Sequence, residues 1–148
     1  FGESDERVAA KTRAALAAGL IPVVCVGETL EERQRGELET VLLRQLDAVL
    51  PELRSATDAL VAYEPVWAIG TGETATPADA AQAHALIRRH MAAVLGPERA
   101  EQVPILYGGS VRPSNARELL SADDVDGLLV GGASLDPRSF AEIVELAS

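Results

Sequence analysis

The sequence predicts an α/β protein built around a parallel sheet, and three observations carry that expectation. Four short apolar runs alternate with longer amphipathic segments along the 148 residues, the order that strand–helix–strand units produce. The runs are nearly continuous in apolar residues rather than alternating, the pattern of strands covered on both faces. Glycine or glutamate follows each run directly, and residues just past the carboxyl ends of parallel strands face the ligand crevice.

The elements follow in order. Ser4 caps a helix running to about residue 19, with Asp5 and Glu6 suiting its positive N-terminal end. Residues 21–27 form the first strand, and Pro22 is tolerable at strand entry. Thr29 with Glu32 makes a capping box, opening a helix that carries Leu38, Val41, Leu42, Leu46 and Leu50 at helical spacing. Residues 59–63 form the second strand. Thr76-Pro77 opens a helix to about residue 95, stopped by Gly96-Pro97. Residues 103–107 are the third strand, followed by a short helix over 114–120. Residues 127–130 are the fourth strand, and 137–146 the last helix. No low-complexity segment or linker divides the chain, so residues 1–148 are expected to form one unit.

Composition narrows the function classes. The length suffices for one domain with a real core, and no apolar run approaches the ~20 residues of a membrane-spanning helix. A formal net charge of −10 argues against nucleic acid or an anionic membrane as partner. The single cysteine, Cys25, forbids an intrachain disulfide and points to a reducing cytoplasm. It lies within Val23-Val24-Cys25-Val26, which predicts buried packing rather than reactivity. No secretory-signal pattern is read at the start, where Phe1 stands in place of Met.

The chemistry concentrates after the second strand, in Ala62-Tyr63-Glu64-Pro65-Val66-Trp67-Ala68-Ile69-Gly70-Thr71-Gly72. Glu64 ends a strand and precedes a Pro-framed loop with Gly70 and Gly72, as a general base beneath a closing loop would. A helix-capping or salt-bridged Glu before an ordinary surface loop is the plainer alternative. The other strand ends weigh against it: Gly27-Glu28, Gly108-Gly109-Ser110 and Gly131-Gly132-Ala133-Ser134. Glycine there lets a ligand approach backbone N–H groups, which cradle phosphate without a lysine. A single Gly-Gly pair fits any tight turn. Two on consecutive strands, beside Glu64, point to a small phosphorylated ligand.

These residues carry a family resemblance. The 62–72 segment resembles the catalytic strand and lid of the triosephosphate isomerase family. Tyr107-Gly108-Gly109-Ser110-Val111 and Asp126-Gly127-Leu128-Leu129-Val130-Gly131-Gly132-Ala133-Ser134-Leu135 are similar to its two phosphate-binding segments, and Phe1-Gly2-Glu3-Ser4 and Cys25-Val26-Gly27-Glu28 also match. The resemblance implies that Glu64 is the catalytic base on dihydroxyacetone phosphate, in glycolysis and gluconeogenesis. It implies that Gly70, Ser110, Gly131 and Gly132 bind the substrate phosphate. Pro65, Val66 and Trp67 would form one hinge of the lid and Glu73, Thr74 and Ala75 the other, with Ala68, Ile69, Thr71 and Gly72 between them. Many relatives carry Lys where Glu73 stands. Tyr107 would hold the closed lid through its hydroxyl, and closure would exclude water from the intermediate. Glu3 and Glu28 would be supporting salt-bridge carboxylates. Neither a metal nor an organic cofactor is expected, since this proton transfer needs none.

The resemblance also exposes absences. The family's substrate-contacting Lys and its electrophilic His precede the matching region and have no counterpart here. Lys11, the only lysine, sits mid-helix and reads as a surface residue; His84 and His90 sit on the helix after the lid, away from the strand ends. A full barrel of this kind has eight strand–helix units in about 250 residues. The resemblance therefore implies the C-terminal half, strands five to eight, of a (β/α)8 TIM barrel. A half-barrel has raw edges and a bare apolar concave face, so the expected partner is the missing N-terminal half or a second copy of this chain. Two functions stay open: the base-bearing part of an isomerase, inactive alone, or a self-assembling half-barrel that at most binds phosphate.

Overall fold

The computed structural model describes residues 2–56, 58–69 and 73–147. Four strands form one sheet: β1 Val23–Val26, β2 Leu60–Tyr63, β3 Ile105–Tyr107 and β4 Gly127–Leu128. Every pairing is parallel and the spatial order is β1-β2-β3-β4. Each strand is thus laid beside the one before it through a helical crossover, which agrees with the predicted α/β class. Val23 registers with Leu60, Val61 with Ile105 and Leu106 with Gly127.

The crossovers are helices α1 Asp5–Ala17, α2 Leu30–Gln34, α3 Leu38–Leu53, α4 Pro77–Leu95, α5 Pro97–Glu101, α6 Pro113–Leu120 and α7 Pro137–Leu146. Two 3-10 turns, Val66–Ala68 and Gly132–Leu135, follow β2 and β4. The start signals read from sequence operate. Ser4 accepts from Arg7 N–H, Thr29 and Glu32 cap each other, and Thr76 and Asp79 do the same at α4. α7 has the expected bounds.

Several expectations need correcting. The helix opened by Thr29 is broken into α2 and α3, because Gly36 takes φ +72°, a left-handed conformation open to glycine and absent from helices. The apolar stripe predicted for it belongs wholly to α3, where Leu38, Val41, Leu42, Leu46 and Leu50 are all buried. Gly96 ends α4 as expected, yet Pro97 also starts α5. The strands are shorter than their apolar runs. β4 keeps two residues, although Leu129 N–H still donates to Tyr107 O at 2.8 Å.

Side chains alternate across a strand, and this sorts the core. Val24, Val26, Val61, Tyr63, Ile105 and Tyr107 turn toward the helices and join Leu42, Leu46, Leu50, Ile87 and Met91 in one buried cluster. Each such large side chain stabilises the fold by about 1.5–3 kcal/mol on burial. The opposite face is uneven. Ala62 is buried, but Val23 and Cys25 on β1 are exposed. The predicted burial of Cys25, and of both faces of the first strand, is therefore overturned. An apolar run records that a face is meant for burial, not that this chain supplies the cover. Among the described residues no helix is long and apolar enough to cross a membrane.

Candidate active site

Glu64 follows β2 directly, and its backbone is pinned from both sides. Its N–H donates to Val26 O at 2.8 Å, and Gly108 N–H donates to Tyr63 O at 2.8 Å. Two glycines clear the space it occupies. A Cβ on Gly27 would lie 1.8 Å from Glu64 O, and one on Gly108 would lie 2.6 Å from Glu64 Cγ. Neither distance is sterically possible, so the strand-end glycines on β1 and β3 are requirements of the Glu64 position. Gly131 and Gly132 differ: a Cβ there would meet nothing within 4 Å. Their backbone faces open space.

That space is a cleft of about 490 Å³, lined by Glu64, Gly109, Ser110, Gly131 and Gly132, with Ala68 and Ile69 at its side. The structure thus brings together Glu64, Ser110, Gly131 and Gly132, all singled out from sequence. Gly70, Thr71 and Gly72 lie outside the described residues, as does Phe1. Ser134, paired with Ser110 in the sequence pattern, is exposed and bonds its own loop: its hydroxyl donates to Gly131 O at 2.7 Å and its N–H to the same oxygen at 2.9 Å. It holds the loop, leaving Ser110 as the serine at the cleft. A carboxylate beside exposed backbone N–H groups can exchange a proton with a bound anionic substrate.

Glu64 also borders a second space of about 520 Å³ beside β1, shared with Val23, Cys25, Lys11 and Val66. Cys25 is exposed there, yet burial of its sulfur, then the Glu64 charge and hydrogen bond, push its thiol up to about 12. Accessibility alone does not make it a nucleophile, because the thiolate is the reactive form. Lys11 pairs with Glu3 at 2.5 Å and stays largely exposed, as its mid-helix position suggested.

The segment after Glu64 is anchored at its near end. Pro65 leads into the 3-10 turn, where Val66 N–H donates to Glu28 O at 3.0 Å and Ala68 N–H to Pro65 O at 2.8 Å. The Trp67 indole N–H donates to Glu28 Oε1 at 2.8 Å, and the Tyr63 hydroxyl lies 3.1 Å from both Glu28 oxygens. Glu28 is completely buried and is charge-compensated by Arg33 Nη1 at 3.3 Å. The Arg33 guanidinium also sits 4.6 Å from the centre of the Trp67 ring, a cation–π contact. Its other nitrogen pairs with Asp79, whose carboxylate accepts from Thr76 N–H at 2.9 Å and from its hydroxyl at 2.7 Å. Arg33 therefore ties Trp67 to the start of α4. Sequence reasoning missed it, although a buried Glu28 calls for a cation and α2 supplies one five residues on.

At the far end Thr74 is exposed and Ala75 is buried. The Tyr107 hydroxyl is buried without a formed hydrogen bond. Burial pushes it up to about 12, against the opposing pull of the Ala75 N–H. A Cβ on Gly109 would lie 2.2 Å from this hydroxyl, so Tyr107 sits under the cleft floor as well as beside the segment. The histidines lie away from the cleft, as expected. His84 is buried with Nδ1 2.9 Å from Asp124 O, and His90 Nε2 pairs with Asp47 at 2.7 Å.

Comparison with known proteins gives the family. The family model for triosephosphate isomerase matches residues 1–147. The chain is 60% identical over 146 residues to the triosephosphate isomerase of Alkalilimnicola ehrlichii, covering 98% of this chain and 58% of that one. It is 54% identical over 150 residues to that of Symbiobacterium thermophilum (100% and 59%) and 53% identical over 149 to that of Hydrogenovibrio crunogenus (99% and 58%). The chain thus spans under two thirds of the length of these relatives. A parallel sheet with a carboxylate and open glycine turns at its strand ends, matched throughout by one family, leads to one conclusion: the chain belongs to the triosephosphate isomerase family.

Proposed function

We propose that this chain supplies the base-bearing and phosphate-cradling part of a triosephosphate isomerase, corresponding to strands five to eight of an eight-stranded barrel. The observation that carries the proposal is the single cleft shared by Glu64 with Ser110, Gly131 and Gly132. In this reading the Glu64 carboxylate takes a proton from carbon 1 of dihydroxyacetone phosphate, leaving an enediolate. Glu64, its proton open to exchange with solvent, then protonates carbon 2 while the carbon 1 hydroxyl proton passes to the oxygen on carbon 2, which gives glyceraldehyde 3-phosphate. The N–H groups of Gly131 and Gly132 and the Ser110 turn hold the phosphate, with Gly70 completing the cradle. Residues 65–75 close over the site, hinged at Pro65–Trp67 and at Thr74–Ala75, and Tyr107 secures the closed position. The reaction belongs to glycolysis and gluconeogenesis, and a cytoplasmic setting suits the lone thiol.

Turnover needs more than these residues supply. Among the described residues no imidazole lines the cleft, and Lys11 is engaged with Glu3. Loss of a preorganised donor to the developing oxyanion costs ~10²–10³ in rate, so residues 1–148 by themselves are expected to turn over poorly. The remaining strands of the barrel fill the space beside β1 and bring the electrophile. The test is triose phosphate interconversion by the chain, alone and assembled with the complementary segment of a relative, with Glu64→Gln as comparison. The assembled chain should be active and the variant slower by ~10²–10⁴. Equal rates would refute Glu64 as the base.

A further inference from the structure

One buried titratable group lies outside the proposed chemistry yet touches both tyrosines that serve it. The His84 ring on α4 meets Tyr63 edge-on at 5.9 Å between centroids and Tyr107 at 6.4 Å, while the two tyrosines are 6.3 Å apart. The His84 Nδ1 lies 2.9 Å from the Asp124 carbonyl oxygen. A carbonyl only accepts, so Nδ1 carries the proton and Nε2 is the bare nitrogen of a neutral ring. Nε2 is buried and without a hydrogen bond.

Of the two neighbouring tyrosines, Tyr63 serves the first hinge of the 65–75 segment. It donates to Glu28, which receives the Trp67 indole N–H. The Tyr107 hydroxyl is buried without a hydrogen bond. We propose that His84 is a positioning residue for the first hinge of this segment, setting the Tyr63 ring while it remains a neutral imidazole. A second proton would sit on Nε2, where no acceptor waits, and the ring would have to shift against Tyr63 and Tyr107 to find one. The charged groups around it are Arg88 on α4 and Asp124 and Asp126 before β4, with Glu28 behind Tyr63 and Asp79 near Tyr107. Burial outweighs the two aspartates and holds His84 below its ordinary 6.5. The first hinge is therefore anchored at neutral pH and loosened by acid. This inference rests on the reading of 65–75 as a closing segment.

Trp67 is the sole tryptophan, so its emission reports the first hinge without any need for turnover. In the 148-residue chain, acidification below pH 6.5 should shift Trp67 emission to the red and raise its quenching by acrylamide, in a one-proton transition. His84→Phe keeps a ring between the tyrosines but cannot titrate, and should abolish that transition. His84→Ala should show the loosened signature already at neutral pH. A transition unchanged in His84→Phe, or parent-like emission in His84→Ala at neutral pH, overturns the proposal. If the variants do not fold, the parent titration decides, because flat emission through this range overturns it as well. The readout is independent of isomerisation, so its failure leaves the Glu64→Gln test standing, and the reverse holds.

Discussion

The two faces of the sheet are finished to different degrees. Toward the helices, Val61, Tyr63, Ile105 and Tyr107 are wholly buried, and the Glu28 carboxylate is held by Arg33, Tyr63 and Trp67. On the other face Val23 is 44% exposed and Cys25 is open. Glu64 stands where the two conditions meet, with its backbone locked into the closed layer and its side chain at the cleft. The chain therefore fixes where the proposed base sits while leaving the surface beside β1 exposed.

This contrast is open to direct challenge. The largest effect is expected at Glu28, whose carboxylate is buried among Arg33, Tyr63 and Trp67. Glu28→Ala leaves Arg33 with Asp79 alone and takes the acceptor from the Tyr63 hydroxyl and the Trp67 indole N–H, and losing one member of a buried pair costs about 3–5 kcal/mol. Urea unfolding with Trp67 emission would measure it, and a cost near zero would mean that the closed layer does not depend on this anchor. Next comes a paired comparison. Leu50→Ala, within the closed layer, should cost about 2–5 kcal/mol, whereas Val23→Ala on the bare face should stay within about 0.5 kcal/mol. Similar losses would erase the distinction between the faces.

The glycines offer a third contrast. Gly27→Ala would drive a methyl group into the Glu64 carbonyl and should cost about 1–3 kcal/mol, as overpacking does. Gly131→Ala meets no atom and should leave denaturant stability almost unchanged while weakening retention of inorganic phosphate. Equal effects of the two substitutions on stability would contradict the assignment of one to packing and the other to the cleft.

Two smaller effects depend on pH. His84 has a lowered folded pKa because it is buried, so from 6.5 downward the unfolded chain takes up a proton that the folded chain refuses. Stability is full above that window and declines as pH falls through it; His84→Phe should flatten this part of the profile. Cys25 is accessible but held near pKa 12. Its alkylation should be slow at neutral pH and should accelerate with pH up to that value. Fast labelling at neutral pH would show that the thiol is less encumbered than its surroundings indicate.

Much of this was legible in the sequence. Apolar runs, caps and Gly-Pro punctuation located every strand and the main helices, because those signals are local. The break at Gly36 escaped, since the capping box and the apolar stripe fit one continuous helix and periodicity does not reveal a positive φ. Cys25 escaped for another reason: the pattern of an apolar strand is the same whether its cover lies in this chain or elsewhere. At the site, Glu64, Ser110, Gly131 and Gly132 could be picked out because each lies at a strand end with its own motif. Arg33 and His84 could not, because their roles depend on where a long side chain reaches and on which rings meet between α4 and the sheet.

The most direct test follows the proton itself. The chain, assembled with the complementary segment of a relative, is incubated with dihydroxyacetone phosphate in deuterium oxide, and label at carbon 1 is read by proton NMR. The account predicts label in the parent protein and almost none in Glu64→Gln, with Gly131→Ala intermediate. Label that persists undiminished in Glu64→Gln would contradict it, placing the base on another residue.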